Sequence, residues 1–318
     1  MSDLGRRRFL AWAGVSAGAS VVAACSSVSE SSNTVSAPTF VLVGGSAAPS
    51  FFWTPLVREL AVRGARALPV ELPGHGLDAQ FPLAFQSPQD AAAFGASPSP
   101  VVGRTLDDYA GAVVTAVEAV REHGPVVLVG HSLGGPVITR AADSLGDSIA
   151  HLVYISAIAV SPEGSALGVF AAPENAGSLA NSMPPSLGDI ATTGVTRTNL
   201  RSADATLLDS YRAAVMADVP EDQLLAALNY LQQPDESVLP TLEDIAPDPE
   251  KWGRISRTFV RLTADRFHTV PLQDKMISDA DAMTEISFRV RDIDSSHAGF
   301  IVTQPGSVAD VLLDVPVS

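Results

Sequence analysis

The stretch Pro125-Val126-Val127-Leu128-Val129-Gly130-His131-Ser132-Leu133-Gly134-Gly135 decides the fold. Its first half, VVLVG, is a short apolar, β-branched run and reads as a buried strand. Residues 133–145 follow with helical periodicity. Between them, Gly130-His131-Ser132-Leu133-Gly134 fits the pattern G-x-S-x-G in the context that gives it meaning, a strand before and a helix after. In that geometry the serine sits on a strained turn, and small neighbours let the chain pass close by. Ser132 Oγ is presented above the sheet as a nucleophile. The Leu133 amide, at the start of the following helix, points into the same space as a donor for a developing oxyanion.

Working outward, TFVLV (39–43) reads as a first strand stopped by Gly44-Gly45, and residues 56–63 as a helix. Residues 65–72 form a second strand ending in Pro73-Gly74-His75-Gly76. The Pro-, Ala- and Ser-rich residues 79–103 read as an irregular excursion. Thr105 and Asp108 make a capping-box start for a helix to about residue 123, and 149–155 is a fourth strand. Strands alternating with helices predict an α/β fold with a mostly parallel sheet covered by helices on both faces. At about residue 161 the alternation stops. Residues 162–250 hold helical pieces at 205–217 and 221–232 between Pro-rich loops, which predicts a helical cap inserted after the fourth strand. Strands resume at 257–262 and 285–291.

A serine nucleophile needs a base. Of the six histidines, His297 in DIDSSHAGF follows the last predicted strand, at the carboxyl rim that Ser132 occupies. His268, in a loop near the acid, is the runner-up. His75 reads as structural, His131 points along the elbow, and His123 and His151 flank strand starts at the opposite rim. The acid that orients the base is read as Asp265, directly after the strand RTFVRLTA. Asp292 and Asp294 lie nearer to His297 in sequence but share its loop. Ser156 fills the end of the fourth strand, another place where an acid could sit. The second oxyanion donor should come from the loop Gly44-Gly45-Ser46-Ala47, with Ser46 favoured over Ala47. Leu207, Leu208, Tyr211, Val215, Leu224, Leu225 and Leu228 are at helical spacing and are expected to roof the pocket or pack the cap on the core.

The N-terminus reads as an address. Arg6-Arg7-Arg8 precedes an apolar stretch, residues 9–24, as in a bacterial export signal. Arg6 to Leu10 resembles the twin-arginine form. The stretch ends in Val22-Ala23-Ala24-Cys25, which resembles a lipobox whose cysteine is lipidated. Residues 1–24 are therefore expected to be a leader, and 25–38 a lipidated cysteine with a Ser-rich tether containing six serines among residues 26–38. Residues 39–318 are the expected enzyme domain. Such a protein is exported and held at the outer face of the cell membrane by its lipid anchor alone.

Composition agrees with a globular domain: 318 residues, 46% hydrophobic, enough for a large core. Net charge is -15. Loss of the leader would remove Arg6, Arg7, Arg8 and Asp3, leaving 17 basic against 34 acidic residues. So acidic a chain repels phosphate backbones, which argues against nucleic acid. A single cysteine excludes an intramolecular disulfide framework and a Cys-rich zinc site.

Taken together, the elbow VGHSLGG and the order Ser132, Asp265, His297 resemble the α/β-hydrolase superfamily. More narrowly, FVLVGGSAAPSFFWTPLVREL, TLDDYAGAVVTAV, DVPEDQLLAALNYL, LTADRFHTVPLQDKMI and DSSHAGFIVTQP are similar to the branch with plant methylesterases and hydroxynitrile lyases. The branch usually has His-Gly where this chain has Gly44-Gly45, and residues 79–103 look longer than usual. Lyases of this branch carry a lysine after the base and a threonine at the oxyanion loop. Ala298 and Gly45 stand at those places. The resemblance therefore implies a serine hydrolase that cleaves small-molecule carboxylic esters through an acyl-enzyme, with no metal or organic cofactor. The alternatives are a non-catalytic binding protein on the same scaffold, a lactonase, amidase or thioesterase, and, least favoured, a hydroxynitrile lyase. Activity is expected to fall on acidification through roughly pH 6–7 as the imidazole protonates.

Overall fold

A computed structural model describes residues 37–232 and 234–317. The leader, Cys25 and the tether up to residue 36 lie outside the described residues. The described residues form eight strands: β1 (Thr39–Val43), β2 (Arg66–Pro69), β3 (Val126–His131), β4 (His151–Ile155), β5 (Val195–Arg197), β6 (Asp235–Ser237), β7 (Arg257–Leu262) and β8 (Arg289–Ile293). Six of them form one sheet in the order β2-β1-β3-β4-β7-β8, and every pair in it is parallel.

The central strands β1, β3 and β4 are buried on both faces and are accordingly largely apolar on both sides. Val41 and Val43 of β1 pack with Leu128 on one face, against the Leu106–Val120 and Gly134–Leu145 helices. Phe40 and Leu42 pack with Val127 and Val129 on the other, against the Thr54–Val62 and Pro305–Leu313 helices. This is the covering that parallel sheets require. The capping box at Thr105 is formed: its Oγ1 accepts from the Asp108 amide, and Asp108 Oδ2 accepts from the Thr105 amide. No helix among the described residues is long and apolar enough to cross a membrane.

Three local expectations change. The last strand is Arg289–Ile293 rather than 285–291. Residues 285–288 serve as a turn instead: the Ile286 carbonyl accepts from Arg257, and the Phe288 amide donates to Asp281 Oδ1 at 2.7 Å. The second predicted helical piece of the cap is a 3-10 turn, Glu221–Gln223, followed by one short helix, Leu224–Leu228. The cap is also not purely helical, since β5 and β6 pair antiparallel within it. Three-residue strands are too short for alternation to register.

That small sheet anchors the cap. Arg197 is buried, and its Nε and Nη2 donate to the two Asp235 oxygens at 2.7 and 2.9 Å. Its remaining donors reach the carbonyls of Phe94, Gly95 and Ser97. The 79–103 excursion is thereby fastened to the cap. Next along β6, Glu236 accepts from Tyr109 Oη at 2.6 Å and lies 3.1 Å from His75 Nε2. His75 is therefore structural, as read. Asp235→Ala would leave Arg197 buried without its bidentate partner. Urea unfolding of this variant should give a loss of about 3–5 kcal/mol.

Candidate active site

Parallel register brings the carboxyl ends of β1, β3, β4, β7 and β8 to one rim. Val43 faces Gly130, His131 faces Ile155 and Leu262 faces Ile293. The loops that follow these strands carry Ser46, Ser132, Ser156, Asp265 and His297.

Ser132 has φ +54°, a left-handed conformation that a serine avoids. Its carbonyl accepts from the Gly135 amide at 3.1 Å and the Ile158 amide at 3.0 Å, which hold the turn on both sides. Its Oγ lies 3.0 Å from His297 Nε2. His297 Nδ1 lies 2.6 Å from Asp265 Oδ2. A carboxylate oxygen only accepts, so Nδ1 carries the hydrogen and Nε2 is the free base. Ser132, Asp265 and His297 thus meet in one hydrogen-bonded line.

Asp265 is buried and its acceptors are filled. Oδ1 takes the amides of Phe267 (2.7 Å) and His268 (2.9 Å), and Oδ2 takes the Ser156 hydroxyl (2.7 Å) besides His297. Ser156, considered only as a vacant acid position, is thus the hydroxyl that orients the acid, and it too has a left-handed φ, +39°. Burial pushes the Asp265 carboxyl up, to about 6, against the lowering effect of these donors. Burial pushes the His297 imidazole down, to about 3. The two share the Nδ1 hydrogen and take up a further proton as a pair.

The runner-up base is not in position. His268 donates through Nδ1 to the Ser156 carbonyl at 2.8 Å, and its ring packs edge-on to His297 at 4.6 Å. His131 lies stacked on Phe52, and its Nε2 donates to the His297 carbonyl at 2.9 Å. His151 bonds Thr258 at the start of β4, on the far rim. Asp292 is paired with Arg261, and Asp294 accepts from Thr263.

A cavity of about 150 Å³ opens over Ser132. Its floor includes Ser46, Ala47, Ser132 and His297. The amides of Ser46, Ala47 and Leu133 have no acceptor among the described residues. Gly45 lies so close to the elbow that a Cβ there would come within 2.6 Å of Ser132 Cβ and 2.9 Å of the His131 carbonyl. The cap supplies Met183, Thr198, Leu200, Tyr211, Val215 and Leu231. Of the expected roof residues, Tyr211 and Val215 reach the cavity. Leu224 and Leu228 pack on the core, while Leu225 is 63% exposed. Residues 79–103 contribute nothing to the lining. Thr198 and Leu200 follow β5 in an irregular segment and carry no periodic signal, whereas Leu231 continues the spacing of Leu224 and Leu228 just beyond their helix.

Comparison with known proteins agrees with this architecture. A chloroplastic protein of Arabidopsis thaliana named as methylesterase 14 is 24% identical over 288 residues, covering 87% of this chain and 71% of its own. An extracellular α/β-hydrolase from a Paenibacillus species, reported to share structural and functional homology with a tobacco salicylic acid binding protein, superposes with a TM-score of 0.61. It is 21% identical, with 86% of this chain and 97% of that one covered. A pyrethroid hydrolase from Sphingobium faniae gives a TM-score of 0.63 at 20% identity, covering 88% and 98% of the two chains. The family model described as the alpha/beta hydrolase family matches residues 40–311, nearly the whole of the described chain, and the protein belongs to that family.

Proposed function

We propose that this protein is a serine hydrolase of small, uncharged carboxylic esters. The observation that supports it most is the line Ser132 Oγ, His297 Nε2, Nδ1 and Asp265 Oδ2, at 3.0 and 2.6 Å, opening into a cavity lined mostly by apolar side chains. Ser132 Oγ attacks the ester carbonyl while Nε2 takes its proton, and Asp265 stabilises the imidazolium. The Leu133 amide and that of Ser46 hold the oxyanion. The imidazolium gives its proton to the departing alcohol, leaving an acyl-enzyme. Nε2 then takes a proton from water, which attacks the acyl carbonyl, and passes that proton to Ser132 Oγ as the acid departs. Among the described residues no Lys, Arg, Asp or Glu lines the cavity, so a charged substrate group would be desolvated there without a partner. A cavity of this volume accepts a group about the size of a benzene ring. The relatives named for methylesterase and pyrethroid hydrolase activity fit the same reading.

A fluorophosphonate probe should label the protein, and Ser132→Ala should abolish labelling. With a p-nitrophenyl ester series the same substitution should lower kcat by about 10⁴ or more. Labelling that survives in Ser132→Ala would overturn the assignment.

The deprotonated pair is the active form, so activity is full above its titration and is lost as pH falls through it. Burial disfavours the imidazolium, which moves the expected acid limb below the ordinary imidazole range. kcat/KM should hold through pH 6.5 and be lost only at lower pH. An acid limb with its midpoint at or above pH 6.5 would overturn this reading of the buried pair.

We further propose that the chain is exported and lipid-anchored through Cys25, on the strength of Arg6-Arg7-Arg8, the apolar residues 9–24 and the Val22-Ala23-Ala24-Cys25 sequence. Cys25→Ser should move the protein from the membrane fraction to the soluble fraction of a bacterial host. Retention in the membrane would rule out the thioether anchor.

A further inference from the structure

The loop that carries His297 is held from outside the sheet by Asp218, which follows the Ala205–Val215 helix of the cap. Oδ2 of Asp218 accepts from Ser295 Oγ at 2.5 Å and from Thr303 Oγ1 at 2.7 Å. Oδ1 accepts from the Ser296 amide at 3.2 Å and from the Ser296 hydroxyl. The carboxylate is half-buried and has no cation beside it among the described residues. Burial acts to raise its pKa, but the three hydroxyls and the amide outweigh this and keep it below the ordinary carboxylate range. Ser295 and Ser296 are fully buried. Just beyond His297, a Cβ on Gly299 would come within 2.1 Å of Asp218 Oδ1, so only glycine allows the approach. The same stretch of cap also gives the Val215 carbonyl, which accepts from the Ala298 amide at 2.7 Å.

All of these bonds fall on residues 295, 296, 298 and 303, which surround the base. A half-buried carboxylate without a cationic partner is costly to keep, and of its four acceptor bonds three fall on the His297 loop and one on the Phe300–Thr303 helix that follows it. We propose that Asp218 is a positioning residue for His297, the means by which the cap holds the imidazole in line with Ser132. This rests on the reading of His297 as the base. Asp218 does not touch the reacting atoms. It sets where Nε2 stands, and misplacement by a fraction of an ångström weakens proton transfer more than substrate binding.

The test compares full-length parent, Asp218→Asn, Ser296→Ala, the double variant and Thr303→Val. Each is first confirmed folded by its melting transition, then assayed with one p-nitrophenyl ester across pH. Asp218→Asn keeps the shape but replaces one acceptor oxygen with a donor. It should lower kcat about tenfold or more while KM changes less than threefold. It should also move the acid limb of kcat/KM to lower pH, because a loosened His297–Asp265 contact stabilises the imidazolium less. The double variant should fall no further than Asp218→Asn alone, since the Ser296 hydroxyl acts through Asp218. If Asp218→Asn does not fold, Thr303→Val removes one hydroxyl donor at constant volume and should still lower kcat two- to fivefold. A folded variant with parental kcat and an unmoved acid limb would overturn the inference, as would additive losses in the double variant. The parent separates this from failure of the hydrolase reading: if it takes the fluorophosphonate label at Ser132 and the Asp218 variants behave as parent, only the positioning role falls.

Discussion

The arrangement depends on one serine held in a backbone conformation it would not choose. A non-glycine residue in the left-handed region costs about 1–3 kcal/mol and persists only where its surroundings over-determine it. At Ser132 they do. β3 is buried along its whole length between β1 and β4, the Gly134–Leu145 helix is clamped against the sheet, and two amides close on the Ser132 carbonyl. The strain is offset by the packing of the core, and it lifts Oγ clear of the strand toward the loops of its neighbours.

Electrostatics complete what the turn begins. Asp265 is out of contact with water, and an isolated carboxylate there would simply take a proton. Its four donors come from three elements: two amides of its own loop, the Ser156 hydroxyl from the end of β4, and His297 from the loop after β8. Burial and this hydrogen bonding oppose one another at the acid, while burial alone keeps the imidazole deprotonated. The apolar cap matters to the same balance, because water admitted to the cavity would weaken every one of these contacts.

Of the polar contacts that join the cap to the core, two groups frame the site. At one end, Arg197, Asp235 and Glu236 tie its small sheet to the 79–103 excursion, to His75 and to Tyr109. At the other, Asp218 and the Val215 carbonyl grip the loop of His297. Between these attachments Tyr211, Val215, Leu200 and Leu231 close over Ser132. The cap is thus both the wall of the cavity and part of the frame around the base.

Much of this was legible in the residues alone, for a physical reason. Parallel strands buried on both faces must be apolar throughout, and helices must carry caps and a 3.6-residue period, so β1, β3, β4 and β7 and the 106–120 helix are written locally. Chain order and the carboxyl rim then single out Ser132, Asp265 and His297, since each follows a recognisable strand. What sequence could not decide was which polar groups meet across long separations. Ser156 reads as an empty position until its hydroxyl is seen on Asp265. Asp218 reads as one acid among 35 until the fold brings it to Ser295 and Ser296. Hydrogen bonds between residues so far apart leave no periodicity, and β5 and β6 are too short to show one. The sequence by itself determined the layers, the elbow and the order of the chemistry. Only the tertiary structure decided how the acid is held, what lines the cavity and what steadies the histidine, because those are set by distances between loops that no local pattern encodes.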